Sequence, residues 1–375
     1  MSNMSIRQGS WKIGLIMGIP VYLHFSWFII FGLITWSLSS YYFPEVAPDL
    51  PVASYWVKGF IASFLLFFSV GFHELAHSYF ALRHRMKIVG ITLFIFGGVA
   101  QMKTEPPNPR AELEIALAGP LSSFVLGLVF FLLGSATTSG SSALFFYLAK
   151  INFILGIFNL IPGFPMDGGR VLRSFIWKRK KDYLYATQKA ASVGKKIALF
   201  FIFFGLFSFF AGWPSGFWFL LIGWFVYSAA QSSYQQATLQ ESLAGIKVKD
   251  VMVQLDDLVS LSPRLSVKEA VNDYFLRYGY GGFPVMDNGK FMGMVTLKEI
   301  KQVARDLWPQ ITVGEIYVPH DQKWELSPFD EIMKALQIMI QEDKGRIIVV
   351  QNDQVIGLVT RNGIARYLQI RREIS

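Results

Sequence analysis

The feature that most constrains this chain is a succession of apolar runs long enough to cross a bilayer, one of which carries ionisable side chains. Between Trp56 and Leu82 the sequence is rich in Phe, Leu, Ile and Val, yet it contains Phe72-His73-Glu74-Leu75-Ala76-His77-Ser78. Spanning the hydrocarbon core as a helix takes about 20 apolar residues. Ionisable groups in such a span are costly and mark functional positions. On a helix His73 and His77 lie one turn apart on one face. His-Glu-x-x-His is the spacing with which two imidazoles hold Zn2+ beside a carboxylate. A chance match in a soluble helix competes with this reading, but it leaves the burial of three ionisable groups unexplained.

Composition agrees with a membrane protein. Of 375 residues 53% are hydrophobic and only 16% are charged, a balance that suits multiple spans with a soluble part attached. The chain has no cysteine, which excludes disulfides, thiolate zinc ligands and cysteine nucleophiles. A net charge of +9 invites a nucleic-acid reading, but the basic residues gather beside apolar runs, as the positive-inside rule requires. The expected partner is the lipid bilayer, with no nucleic acid. Candidate spans are Val21–Ser39, Tyr55–Leu82, Ala111–Leu133, Ala143–Leu160, Ile197–Gly212 and Phe217–Ala230. The Tyr41–Pro51 loop carries Glu45 and Asp49 without Lys or Arg, and the Ser135–Ser142 loop is uncharged. Arg83, Arg85, Lys87, Arg170, Arg173, Lys178 to Lys181, Lys195 and Lys196 lie on the other side. This predicts about six transmembrane helices in the plasma membrane with both termini cytoplasmic. No cleavable signal peptide is expected.

Ile88–Lys103 is too short to cross twice as helix, and its Val, Ile, Thr and Phe content with Gly97-Gly98 predicts a strand or hairpin dipping into the membrane-embedded part. Extended backbone at membrane depth is tolerated only where it is buried or lines a cavity, so this segment is a candidate wall of the site. A catalytic zinc takes three protein ligands. The best third candidate is Asp167, because Pro162, Gly163, Pro165, Gly168 and Gly169 break the fourth span around it and present an acid on non-helical backbone. A turn residue at a helix end is the competing reading of Asp167. Glu74 is placed as general base for the attacking water. Asn159 could donate to a substrate backbone or an oxyanion. His84 and His320 are expected to be solvated. After Ala230 a polar Gln/Ser-rich connector leads to an α/β part with an internal repeat: Gly281–Asp287 with Phe291–Thr296 parallels Arg346–Gln351 with Val355–Thr360.

These residues together resemble the site-2 protease family of intramembrane zinc metalloproteases. The resemblance rests on His73-Glu74-x-x-His77, on Asn159-x-x-Pro162-x-Phe164-Pro165-x-Asp167-Gly168, on the Gly97-Gly98 strand and on Ala118-Gly119-Pro120, and it covers roughly residues 10–235. It implies zinc on His73, His77 and Asp167, Glu74 as base, and a single-span membrane protein cut in or near its transmembrane helix. It also implies an edge strand, here Phe96–Gln101 with Gly97, Gly98 and Val99, that receives the unwound substrate. His24 looks like a recurrent family feature, read here as an interfacial structural histidine. Residues 246–372 resemble a pair of CBS (cystathionine-β-synthase) motifs. Such pairs often bind adenine nucleotides of the ATP or AMP type, and Thr296 and Glu299 stand where the ribose contact is expected, with Glu in place of Asp. The second copy, Gly357 to Gly363, has no such acid. A regulatory or dimerisation module without ligand, giving a homodimer, is an equal reading.

The expected organisation is therefore a membrane domain at 1–235, a linker at 236–245 and a tandem CBS regulatory domain at 246–372. Two other classes compete: a CBS-regulated transporter or channel whose His and Asp residues form an ion site, and an inactive binding relative. Intact His73, Glu74, His77 and Asp167 argue against the latter. The substrate itself is not written in the sequence.

Overall fold

The computed structural model describes residues 9–95, 97–102, 104–137, 141–213, 215–319, 325–342 and 344–374. The chain divides into two compact units, 1–239 and 240–375.

The first unit opens with a β-hairpin, β1 (Ser10–Ile16) and β2 (Ile19–His24), followed by α1 (Phe25–Ser37). The helical path continues through a π turn at Leu38–Tyr42 to Val46. Then come α2 (Val52–Arg83), β3 (Ile88–Phe94), β4 (Gly97–Met102), α3 (Pro109–Ala136), α4 (Ser142–Asn159), α5 (Asp167–Lys180), α6 (Tyr183–Phe210) and α7 (Gly216–Leu243). Among the described residues, α2, α3, α4 and α6 are long and apolar enough to cross a membrane.

The outermost candidate spans differ from expectation. Val21–His24 is not helix, because Ile19–His24 pairs on both sides within a four-stranded sheet of order β1-β2-β3-β4. β2 runs parallel to β3, with Val21 opposite Ile91 and Leu23 opposite Leu93. α1 then starts at His24, whose Nδ1 accepts the Ser26 N–H at 3.3 Å. Ser26 Oγ in turn accepts the Ile95 N–H, which ties the start of the helix to the end of β3. α6 begins well before Ile197, since Tyr183–Lys196 is rich in good helix formers and Asp182 caps it through the Tyr185 N–H. The polar connector is helical as far as Leu243.

The β3–β4 hairpin is where the sequence places extended backbone. Gly97 opens β4 at φ +123, a conformation L side chains rarely adopt. β4 is the edge of its sheet. Phe96 lies outside the described residues.

Helices in the first unit pack through small residues, as expected where water supplies no hydrophobic drive between them. The Phe153 ring sits over Gly127, Phe146 over Gly134 and Phe124 over Gly156, joining α3 to α4. On α2, Ser69, His73, His77 and Ala81 are buried at four-residue spacing, while Phe60, Phe64, Phe68 and Phe72 at the same spacing are exposed. One face of the span is thus polar and covered, the other aromatic and open.

The second unit contains the expected repeat as two antiparallel hairpins. β5 (Gly282–Asp287) pairs with β6 (Lys290–Thr296), and β7 (Arg346–Gln351) pairs with β8 (Gln354–Thr360). Each tight turn has two residues at positive φ, Asn288-Gly289 and Asn352-Asp353, as primed hairpin turns require. Each repeat has its own core, around Phe283, Val285 and Val295 in the first and Ile347, Val349 and Val359 in the second.

Candidate metal centre

Two helices bring three side chains to one point. α2 supplies His73 and His77 from one face, and α5 supplies Asp167 as its first residue, not from irregular backbone as the sequence suggests. The preceding break, 160–166, is held against α6, with the Phe164 N–H bonded to Ala190 O and Gly163 packed on the backbone of Gly194. Asp167 Oδ2 lies 3.1 Å from both His73 Nε2 and His77 Nε2, and the two Nε2 atoms are 3.2 Å apart. Both imidazoles are almost fully buried.

α3 orients the rings. His77 Nδ1 donates to the carbonyl of Ile115 at 2.6 Å, and His73 Nδ1 meets Ser123 Oγ at 2.8 Å. A carbonyl can only accept, so the proton of a neutral His77 sits on Nδ1 and the Nε2 lone pair points at His73 and Asp167. Partners of this kind fix the tautomer and the ring plane of a metal-ligating histidine. Between Ile115 and Ser123 lies Gly119, where a Cβ would overlap Nε2 of both histidines. The glycine therefore keeps open the space where the three ligand atoms converge.

The donor set fits zinc. Tetrahedral zinc with bonds of about 2.0–2.1 Å separates its ligand atoms by roughly 3.3 Å, and the three distances here are 3.1, 3.1 and 3.2 Å. Two unprotonated nitrogens and a carboxylate oxygen facing one another repel unless a cation joins them. His73, His77 and Asp167 form the one group of His, Cys, Asp or Glu residues able to hold a metal ion among the described residues.

Glu74, next to His73, turns towards β4, where Oε2 accepts the Ala100 N–H at 3.0 Å. Gly98 makes room for it, since a Cβ there would stand 2.6 Å from Glu74 Cγ. Edge strand and carboxylate therefore adjoin. Asn159 ends α4 and donates Nδ2 to Leu155 O within its own helix. The sequence reading missed Asn152, fully buried in α4, which donates to Ser69 Oγ at 3.1 Å and to Leu148 O. An amide in an apolar run was its visible signal. It also missed Ser123 and the buried pair Glu112–Arg173, in which Arg173 Nε donates to Glu112 Oε1 at 2.6 Å.

One expectation changes. His84 is not simply solvated: its Nε2 pairs with Glu114 Oε2 at 2.8 Å, part-buried, because Glu114 projects beside it from the first turns of α3. His320 lies outside the described residues. In the second unit Thr296 and Glu299 bond to each other, with the Thr296 N–H donating to Glu299 Oε2 at 2.8 Å as a capping box for a short helix. Ser266–Glu269 and Thr312–Glu315 repeat the device. There the hydrogen bonds hold the carboxyls of Glu269 and Glu315 below the ordinary glutamate range.

Two buried histidines and an aspartate at zinc-compatible spacing on apolar helices, with a glutamate beside them, are the residues a membrane metallopeptidase needs. Peptidase family M50 matches residues 61–205, and the CBS domain matches twice, at 248–306 and 315–370. The zinc metalloprotease MJ0392 of Methanocaldococcus jannaschii is 34% identical over 373 residues, covering 98% of this chain and 97% of its own. The Rip3 protein of Mycobacterium tuberculosis is 32% identical over 368 residues, covering 96% and 93%. Among solved structures, the site-2 protease from Methanocaldococcus jannaschii is 35% identical, covering 60% of this chain and 95% of its own, with a TM-score of 0.42. The chain belongs to peptidase family M50, the site-2 proteases, and is a zinc metalloendopeptidase of that type with a C-terminal CBS pair.

Proposed function

We propose that this protease hydrolyses a peptide bond within or near the transmembrane helix of a single-span membrane protein. The observation that carries the reading is the meeting of His73, His77 and Asp167 at 3.1–3.2 Å beside Glu74 and the open edge of β4. His73, His77 and Asp167 would hold the zinc, which when bound polarises the scissile carbonyl and acidifies water. Ile115 and Ser123 keep the two rings in place. Glu74 takes the proton from the attacking water and passes it to the leaving amine. A substrate helix must open before attack. Pairing with the Gly97-Gly98-Val99 edge replaces the backbone hydrogen bonds it loses. Asn159, beside the 160–166 break, is assigned to the substrate backbone.

The same reading gives six spans in the plasma membrane with cytoplasmic termini, supported by the charge map of the loops. It gives a membrane domain at 1–235, a linker at 236–245 and a CBS pair at 246–372. The CBS pair regulates proteolysis, with an adenine nucleotide at Thr296 and Glu299 and homodimerisation through the tandem as its two routes. The test is the Glu74→Gln protein in liposomes with a single-span reporter. Cleavage should fall by about 10²–10⁴-fold while zinc content is unchanged. Cleavage at the wild-type rate would remove Glu74 from the mechanism.

A further inference from the structure

We propose that the buried ion pair between Arg173 and Glu112 is a positioning device for Asp167, setting the distance between the acidic ligand and the His77 anchor. The inference rests on the reading of His73, His77 and Asp167 as the ligand set.

Asp167 follows a seven-residue break in the chain, so its carboxylate is only as well placed as α5 is. α5 is fixed two turns further on. Arg173, 6% exposed, donates Nε to Glu112 Oε1 at 2.6 Å and brings Nη2 to the same oxygen. Its Nη1 reaches Thr187 Oγ1 on α6 at 3.4 Å. The guanidinium lies over the rings of Phe164 and Tyr183, with centroid distances of 4.9 and 4.6 Å. One side chain thus ties α5 to α3, to α6 and to the break itself. Arg170 Nε lies 4.0 Å from the same Glu112 oxygen, and Glu105 stands 3.7 Å from Arg173 Nη2.

Glu112 is fully buried on α3, one turn ahead of Ile115, whose carbonyl accepts the hydrogen bond from His77 Nδ1. Glu112, Ile115, Gly119 and Ser123 share one face of α3, at spacings of three and four residues. The connections form a closed circuit: Asp167 along α5 to Arg173, across to Glu112, along α3 to Ile115, and through His77 back to Asp167. Withdrawing both charges from water is costly, and an apolar pair would hold two helices together at less cost. What a planar guanidinium adds is register, because two of its N–H groups on one carboxylate define orientation as well as proximity. Groups that orient metal ligands in this way commonly change metal affinity 10–100-fold when altered.

The experiment uses the full-length protein, zinc-loaded and purified in detergent. Zinc release to excess chelator, the zinc dependence of reporter cleavage and thermal unfolding are followed together. Arg173→Lys and Glu112→Gln should release zinc about 10–100-fold faster and need correspondingly more zinc for half-maximal cleavage. At saturating zinc kcat should return to within about threefold of wild type, a split that a merely structural role would not produce. Glu105→Gln, at the half-exposed rim of the cluster, should change zinc release by no more than about twofold. The double variant Glu112→Gln with Arg173→Gln removes both charges of the pair together, and keeps the idea testable if a single variant does not fold. It too should release zinc at least about tenfold faster. Wild-type zinc release in any folded variant of the pair, or activity lost at saturating zinc with unchanged release, would overturn the proposal. Asp167→Asn separates the two readings. If it keeps zinc as wild type does, the ligand assignment fails; if it loses zinc while Arg173→Lys does not, only the positioning role falls.

Discussion

The two units of this chain use carboxylates in opposite ways. In the first, Glu74, Glu112 and Asp167 lie within or beside apolar helices, and each is met by a group far away in sequence: the Ala100 N–H, the Arg173 guanidinium and two imidazoles. In the second, Glu269, Glu299 and Glu315 each turn back three residues to a Ser or Thr at a helix start. Out of water a carboxylate cannot be left unpaired, so its partner is recruited across the fold and its geometry becomes a property of the tertiary structure. In water the same side chain is satisfied locally and contributes a cap. Substitutions in the first unit should therefore disturb the metal centre as a whole, and those in the second should stay local.

The largest expected effect is at the ligands. Asp167→Ala or His73→Ala should bring zinc content to background by elemental analysis, and cleavage with it, because a catalytic zinc needs its three protein ligands. Retained zinc would break the comparison at its root. Gly119→Ala should come next: its Cβ would overlap both Nε2 atoms, and zinc affinity should fall by about tenfold or more in chelator competition. Gly98→Ala crowds Glu74 and leaves the ligands alone. Its kcat should drop about 10–10²-fold with zinc content intact, sharpening the distinction between holding metal and moving protons. The smallest effect belongs to the second unit. Thr312→Ala removes one capping box and should cost about 1 kcal/mol, a shift of a few degrees in the melting of that unit, with zinc content unchanged.

The boxes also carry a pH dependence whose sign follows from their geometry. Glu269 and Glu315 have carboxyls lowered by hydrogen bonds in the folded state. Their contribution is complete above the unfolded glutamate value of about 4.3 and is lost as the pH falls through the lower folded value. Melting of the second unit should thus be flat from neutral pH to about 5 and decline below about 4, and the decline should shrink in Thr312→Ala.

Much of the site was legible because its signals are local. His73-Glu74-x-x-His77 declares a helical face, and prolines and glycines around Asp167 declare a broken span; the structure joins them at 3.1 Å. The β3–β4 hairpin was equally open, since β-branched residues around Gly97-Gly98 allow little else. His24 reads as a structural histidine, and its structural part is a helix cap tied to the end of β3. What stayed hidden depends on long-range pairing. The β2–β3 contact converts the start of an apparent span into strand, because Ile19–Leu23 suits either state and only its neighbour decides. Ser123, Ile115 and Gly119 look like ordinary members of an apolar helix until α2 is laid against them.

By itself, then, the sequence determined that this chain enters membranes, that it holds a His-Glu-x-x-His helix and an acid on a broken span, and that it ends in a repeated α/β module. Composition, periodicity and short motifs are properties of neighbouring residues, and they survive without a fold. The tertiary structure alone decided which nitrogen of His77 faces His73 and Asp167, which glycine clears the space between them and which acid Arg173 pairs with. Each of those depends on groups dozens of residues apart meeting within a few ångströms, in surroundings where an unpaired polar group is too costly to leave.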